Sequence, residues 1–257
     1  METIIAVFVA VFGLVFGSFL NVVIHRLPSG QSLFRPRSHC PQCLTPIRAY
    51  DNLPLLSYLI LGGRCRYCRR RIPLTYPLVE LLTGACFLTL HGAFGLSHFF
   101  FAACVFTCAL IVLGFIDFRH QILPDAVTFP GLGLAVIYAF FRKDLTWLQS
   151  LLGAAVGGGT IFLLYGLYYL IRKKEGLGLG DATMMLMVGA FLGWKLTVLT
   201  LILGTFAGAA AGVFLLAVKK KGWQHAVPFG SFLAPAAFVA LVWGERIISW
   251  YVGLYRR

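Results

Sequence analysis

Acidic residues are scarce in this chain, with nine Asp and Glu among 257 residues and only 12% charged residues in all. A soluble domain carries roughly 25% charged residues, so the shortage excludes an ordinary soluble globular protein. Also lacking is a Gly-x-Gly-x-x-Gly loop following a strand, which leaves no familiar dinucleotide-type cofactor fold. No internal repeat or low-complexity tract is evident. That argues against the repeat architecture in which many transporters build their sites. Finally, no Lys or Arg precedes the apolar run from Ile4 to Ile24, and no small-residue cleavage site precedes His25 and Arg26. The run reads as a retained spanning helix with its N-terminus outside, not as a cleaved signal.

What is present is hydrophobic: 59% of the residues, with a mean hydropathy of +0.84. At about 20 residues per span, the chain can supply several helices and one modest insert. After the first run, apolar stretches recur at 76–95, 98–117, 126–141, 151–171, 181–193, 195–218 and 231–252. The 126–141 and 181–193 stretches are short, which suits tilted, re-entrant or buried helices. The predicted fold is an all-α polytopic membrane protein of about eight transmembrane helices with a small zinc-binding cytoplasmic insert. Its parts are a first helix over 1–24, the insert over 25–75 and a helical membrane core over 76–257.

The net charge of +13 would suggest a nucleic-acid partner in a soluble protein. Here the basic residues cluster in loops between apolar runs, which is how topology is written, so membrane lipid is the expected surroundings and nucleic acid is not a partner. The first loop holds Arg26, Arg35, Arg37, Arg48, Arg64, Arg66, Arg69, Arg70 and Arg71. Arg119, then Arg172 to Lys174, then Lys219 to Lys221 fall on the same side of an eight-helix arrangement. The opposite loops hold only Arg142, Lys143 and Lys195, with Arg256 and Arg257 a small contrary signal at the tail. The positive-inside rule therefore puts the insert in the cytoplasm.

Within the insert, Cys40-Pro41-Gln42-Cys43 and Cys65-Arg66-Tyr67-Cys68 are two Cys-x-x-Cys pairs separated by 21 residues. Four thiolates at zinc-ribbon spacing make the tetrahedral site zinc prefers. A segment of about 50 residues is marginal for a core of its own, so a metal staple is physically sensible. Two disulfides or a redox pair are the other readings. A cytoplasmic location disfavours stable disulfides, and a redox motif does not ordinarily come doubled. Four cysteines leave no open metal position, so the zinc would be structural. Cys86, Cys104 and Cys108 lie inside apolar runs and read as small hydrophobes.

Two acids stand at the ends of apolar segments. Asp117 closes Leu113-Gly114-Phe115-Ile116-Asp117, and Asp181 follows Gly176-Leu177-Gly178-Leu179-Gly180. Ionisable groups in or near hydrocarbon are costly and are functional more often than structural. Asp117 sits at a helix C-terminus, against its dipole preference, with Arg119 as a competing structural partner. The glycines before Asp181 give the backbone freedom and let another strand approach. In the eight-helix arrangement both acids come out at the cytoplasmic face, although the topology count used neither. Two carboxylates meeting there would share one proton, the chemistry of an aspartyl hydrolase. Asp125, after Pro124, reads as an acid complementing the start of the next helix. Glu80 reads either as such a helix-start acid or as a functional contact. Gly17, Ser18 and Asn21 share a face of the first helix and read as helix-packing residues.

Taken together, these motifs resemble the type IV prepilin peptidases, the bifunctional leader peptidases and N-methyltransferases of bacterial membranes. The resemblance runs nearly the whole length. It includes Gly17-Ser18-Phe19-Leu20-Asn21 through Pro28, the paired Cys-x-x-Cys insert, Tyr76-Pro77-Leu78-Val79-Glu80, the Asp117 to Asp125 stretch and Gly178-Leu179-Gly180-Asp181. It implies an aspartyl endopeptidase of the Gly-x-Gly-Asp class, with Asp117 and Asp181, and not Asp125, as its catalytic pair. It further implies prepilin and pseudopilin substrates, cut on the cytoplasmic side of the bacterial inner membrane after a glycine. The new N-terminal residue would then be methylated from S-adenosylmethionine, with Gly62 and Gly63 lying in a stretch the family uses for methylation. Gly63 and Glu80 are the candidates for contact with that donor. Thr183 departs from the family, many of whose members carry Lys there. The alternatives from other classes are a peptidase without methyltransferase activity, a proton-coupled transporter, or a non-catalytic assembly protein presenting a zinc knuckle.

Overall fold

The structure, a computed structural model, describes residues 1–173, 178–219 and 228–255. Lys174, Gly176, Lys220, Lys221, Arg256 and Arg257, which entered the sequence reading, lie outside the described residues. Apolar runs become helices because a chain in hydrocarbon must satisfy every backbone N–H and C=O internally. In chain order they are α1 (Glu2–Arg26), α2 (Leu56–Ile60), α3 (Thr75–Phe94), α4 (His98–His120), α5 (Asp125–Ala139), α6 (Trp147–Arg172), α7 (Leu179–Leu192), α8 (Trp194–Lys219) and α9 (Gly230–Tyr255). No strand is formed among the described residues; only isolated bridges occur, His39 with Pro46 and Arg64 with Arg71. Among the described residues six helices, α1, α3, α4, α6, α8 and α9, are long and apolar enough to cross a membrane. The protein is thus a multi-pass, helical membrane protein. The two short apolar stretches become α5 and α7.

Two compact units emerge, Met1–Val112 and Leu113–Arg257, with α4 running from one into the other. In the first unit, α1 packs along α3. Gly17 makes the approach possible, because a Cβ there would lie 2.6 Å from the Glu80 Cα. Asn21 is buried and donates from Nδ2 to the Tyr76 carbonyl at 3.0 Å. The small and polar face of α1 is therefore the packing face expected of it.

The insert is built from two knuckles of matching backbone. Cys40 N–H donates to the Thr45 carbonyl at 3.0 Å, and Leu44 N–H donates back to Cys40 O at 2.9 Å. In the second knuckle Cys65 N–H donates to Arg70 O at 2.9 Å, and Arg69 N–H donates to Cys65 O at 3.0 Å. The residue after each second cysteine takes a left-handed φ, 57° at Leu44 and 59° at Arg69. The two Cys-x-x-Cys pairs of the sequence thus share one hydrogen-bonding pattern. Both knuckles need the same turn to aim two sulfurs at one point.

In the second unit α7 is the core. Fourteen residues rise only about 21 Å, too short to cross a hydrocarbon layer of about 30 Å. It is enclosed by packing against α5, α6, α8 and α9. Met184, Met185 and Met187 are all fully buried there, filling irregular gaps as an unbranched thioether can. Gly153 on α6 and Gly189 on α7 face each other so closely that a Cβ on either would overlap the other's backbone. At the far end, Arg142 donates to the Phe191 carbonyl at 2.7 Å while pairing with Asp144. A cation on the last turn of a helix suits its dipole. The chain enters α6 through a capping box, in which Thr146 Oγ1 accepts from Gln149 N–H and Gln149 Oε1 accepts from Thr146 N–H.

Candidate active site and metal centre

Asp117, near the end of α4, is 5% exposed, and Asp181, in the first turn of α7, is 7% exposed. The second unit brings them close enough to interact electrostatically. What holds Asp117 is the start of α9. Ser231 N–H donates to Asp117 Oδ2 at 2.7 Å, and the Ser231 hydroxyl lies 3.0 Å from the same oxygen and 3.0 Å from the Gly114 carbonyl. The preceding Gly230 lies against the same carboxylate, since a Cβ there would be 3.1 Å from Asp117 Oδ2. This resolves the dipole conflict at Asp117: its own helix end is unfavourable, but the positive start of α9 supplies the compensation. Asp181 Oδ1 is buried without a hydrogen-bond partner among the described residues. A buried oxygen of that kind is the natural place for a proton or an incoming water.

The glycines before Asp181 act differently from the expectation of unusual dihedrals. Gly178 has an ordinary extended backbone, φ −76° and ψ 133°, and caps α7. Gly180 is already helical and is needed for space, since a Cβ there would lie 2.8 Å from the Leu123 Cβ. Thr183 turns its hydroxyl back to the Gly180 carbonyl at 3.0 Å. Asp125 is exposed in the first turn of α5, where it complements the helix start.

In the first unit the sulfurs of Cys40, Cys43, Cys65 and Cys68 all lie within 4.8 Å of one another. The Cys40 and Cys68 sulfurs are 3.9 Å apart. Tetrahedral bonds of about 2.3 Å from sulfur to zinc imply edges of about 3.8 Å. A disulfide would need about 2.05 Å, and all seven cysteines are free. The four thiols are therefore placed to hold a metal ion. Hydrogen bonds from Thr45, its side chain first and then its backbone, pull the Cys43 thiol down to about 6, toward the thiolate a metal binds. Cys86 and Cys104 are buried in helices and Cys108 is half-buried, as small hydrophobes would be.

Beside this cluster lies a cavity of about 370 Å³, lined by Ser18, Asn21 and His25 of α1, by Tyr76 and Glu80 of α3, and by insert residues including Tyr58. Glu80 is not a first-turn acid: it is the sixth residue of α3, buried, and accepts from Leu55 N–H at 2.8 Å. Gly63 does not line the cavity. It has φ +66°, and a Cβ there would lie 2.8 Å from the Tyr58 hydroxyl, so it makes room for the ring that does. Sequence reasoning missed Gly230, Ser231, Leu55 and Tyr58. The one available signal for the first two was a Gly-Ser pair opening the last apolar run.

Buried acids in the last turn of α4 and the first turn of α7 suit proton transfer, and in a chain of apolar spans they point to a multi-pass membrane enzyme. Residues 11–94 match the Bacterial Peptidase A24 N-terminal domain, and residues 104–213 match the Type IV leader peptidase family. A prepilin leader peptidase/N-methyltransferase of Pseudomonas putida is 38% identical over 93% of this chain and 91% of its own. One of Stutzerimonas stutzeri is 38% identical over 96% and 93%, and one of Aeromonas hydrophila 37% identical over 95% and 92%. No solved structure matches. The chain belongs to the type IV leader peptidase family. It is an enzyme, a peptidase, and its relatives are named for a methyltransferase activity as well.

Proposed function

We propose that this protein is an aspartyl endopeptidase of the bacterial inner membrane that removes the leader from type IV prepilins and pseudopilins, with Asp117 and Asp181 as its catalytic pair. The observation that carries the reading is the burial of these two carboxylates in one unit, Asp117 held by Ser231 N–H and Asp181 with a buried oxygen that has no hydrogen-bond partner among the described residues. Like charges so close cannot both ionise cheaply, so the pair holds one proton between them. One carboxylate takes a proton from the attacking water while the other protonates the scissile carbonyl oxygen. The cleavage is at the cytoplasmic face, with the insert cytoplasmic and the N-terminus outside, in keeping with the arginine-rich first loop.

The second reaction is N-methylation of the new N-terminal residue, with S-adenosylmethionine as donor. When bound, the donor supplies an electrophilic methyl group: the amine nitrogen bonds to the methyl carbon, the carbon–sulfur bond breaks, a neutral thioether leaves and the amine releases one proton. Cys40, Cys43, Cys65 and Cys68 hold a structural zinc, whose binding energy is part of the folding energy of the insert. The three domains are the first helix, 1–24, the zinc insert, 25–75, and the membrane core carrying the dyad, 76–257.

The test is to mix the purified chain with a leader peptide carrying a Gly-Phe junction and to follow mass. Loss of the leader reports cleavage and a further methyl mass reports the second step. An intact peptide refutes the peptidase assignment, and a peptide cut but never methylated, with donor supplied, refutes the second step alone.

A further inference from the structure

Residues 53–61 read Leu-Pro-Leu-Leu-Ser-Tyr-Leu-Ile-Leu, nearly all apolar, in an insert otherwise rich in arginine. Folding does not hide them. In α2, Leu56, Leu59 and Ile60 stand at i, i+3 and i+4 and so share one face, and they are 57%, 73% and 76% exposed. Ser57 is buried instead: its hydroxyl donates to the Tyr50 carbonyl at 3.0 Å and accepts from Leu53 N–H at 3.0 Å. The helix is turned with its polar group inward and its apolar face outward, the reverse of a helix on a water-facing domain.

The place of that face in the fold says what covers it. Leu55 N–H donates to Glu80 Oε2 at 2.8 Å. Glu80 is the sixth residue of α3, about 7.5 Å along the axis from Thr75. A glutamate side chain tilts back toward the helix start, so Leu55 is held beside the first two turns of α3 and not beyond its end. The 20 residues of α3 rise about 30 Å, the thickness of the hydrocarbon layer. Its first turns therefore stand at the edge of that layer, and there Leu78 and Leu81 are exposed.

The backbone is prepared for the same surroundings. Polar backbone groups at membrane depth must find their partners within the protein. Pro54 has no N–H to satisfy. Leu56 N–H donates to Pro54 O at 2.6 Å, Ser57 N–H to Leu53 O at 3.1 Å, Leu59 N–H to Leu55 O at 3.0 Å and Leu61 N–H to Ser57 O at 3.0 Å. Leu55 takes φ 56° and ψ −45°, a conformation a branched side chain rarely adopts. Such strain persists where the surrounding structure over-determines it. Here the turn delivers its N–H to Glu80.

We propose that residues 53–61 rest in the boundary of the bilayer on the insert's side of the membrane, with Leu56, Leu59 and Ile60 among the acyl chains. The face continues the lipid-facing surface of α3. Exposed Arg64, four residues after Ile60, suits the anionic phosphates of the headgroup layer. With five residues, α2 lies on the membrane and does not cross it. Cys65 follows five residues after Ile60, so α2 holds the cysteine cluster at the membrane surface, as do the chain ends entering α1 and α3.

The test is photolabelling of the full chain in lipid nanodiscs with a phospholipid carrying a diazirine on its acyl chain, followed by peptide mass mapping. Label on Leu56, Leu59 and Ile60 is expected within roughly tenfold of that on Leu78 and Leu81, since burial of three apolar side chains favours lipid over water. A deeper reduction overturns the proposal, whether water, a second copy of the chain or another protein covers the face. The double variant Leu59→Glu, Ile60→Glu is expected to lose label at Leu56 roughly tenfold or more, given the cost of charge in hydrocarbon. Metal content, measured on the same sample, reports whether the insert is folded. Unchanged label at Leu56 in a metal-replete variant also overturns the proposal. If the variant loses its metal, the labelling of the wild type decides by itself.

Discussion

Ser231 holds Asp117 across 114 residues of sequence, donating its backbone N–H to Oδ2 at 2.7 Å with its hydroxyl at 3.0 Å from the same oxygen. That bond ties the end of α4 to the start of α9. Gly230, one residue earlier, lies against the same carboxylate, where a Cβ would be 3.1 Å from Asp117 Oδ2. The first turn of α9 is therefore the frame that holds Asp117.

For the pair itself, Asp117→Asn and Asp181→Asn are each expected to abolish leader cleavage while the protein still folds and inserts. Asparagine keeps the shape and removes the shared proton chemistry. Near-normal turnover in either variant sinks the assignment. Asp125→Asn, at an exposed helix start, is expected to retain cleavage and lose only about 0.3–1 kcal/mol of stability.

The frame can be tested apart from the acids. Ser231→Ala removes a hydroxyl but keeps the N–H, so cleavage is expected to fall about tenfold. Gly230→Ala is expected to cost more, about a hundredfold, because its Cβ would lie 3.1 Å from Asp117 Oδ2 and 3.0 Å from Leu123 Cδ1. The single-turnover cleavage rate is the measurement. Equal, small effects from both would show that α9 does not position Asp117.

Between α6 and α7 the close contact of Gly153 with Gly189 leaves no room for a methyl group on either. Gly189→Ala is expected to lower the thermal midpoint and cleavage together, since α7 carries Asp181. Glu245, exposed on α9, provides a control: Glu245→Gln should change neither. A Gly189→Ala protein with unaltered melting contradicts the packing.

For the metal, one zinc ion per chain is expected, and serine at any one of Cys40, Cys43, Cys65 and Cys68 should abolish its retention. Elemental analysis of protein purified under reducing conditions decides this. Protein without metal refutes the zinc assignment.

Arg66 grips both oxygens of Asp51, at 2.6 to 3.1 Å, and holds its carboxyl below the usual carboxylate range. A folded-state value below the unfolded one gives stability that is present above the unfolded value and lost as pH falls through the folded one. Asp51→Asn is therefore expected to speed zinc loss to a chelator, by less than about tenfold for so exposed a pair. The difference from wild type should be the same at pH 7 and at pH 5, since Asp51 stays ionised across that window. A difference that disappears by pH 5 would exclude the ion pair as its source.

Much of the site was legible because its signals are local. Two Cys-x-x-Cys turns each deliver two sulfurs from four residues, so spacing alone indicated a four-thiol cluster. Asp117 and Asp181 stood out because charge is rare in apolar runs. Of the two readings of Glu80, the helix-start acid does not hold: the helix begins at Thr75, and its carboxylate is met by Leu55 N–H, from another segment. Spacing showed the two knuckles but not that they share one hydrogen-bond pattern and a left-handed residue after the second cysteine.

By itself the sequence determined which segments are helical and which residues are candidates for chemistry, since apolar length, glycine, proline and cysteine spacing act over a few neighbouring residues. Only the tertiary structure decided who holds whom: Ser231 on Asp117, Leu55 on Glu80, Gly63 beneath Tyr58, and α7 enclosed, one of the arrangements its short length allowed. Those are contacts between residues far apart in the chain. They are selected by how helices pack and by the need to satisfy buried polar groups, and no local pattern encodes them.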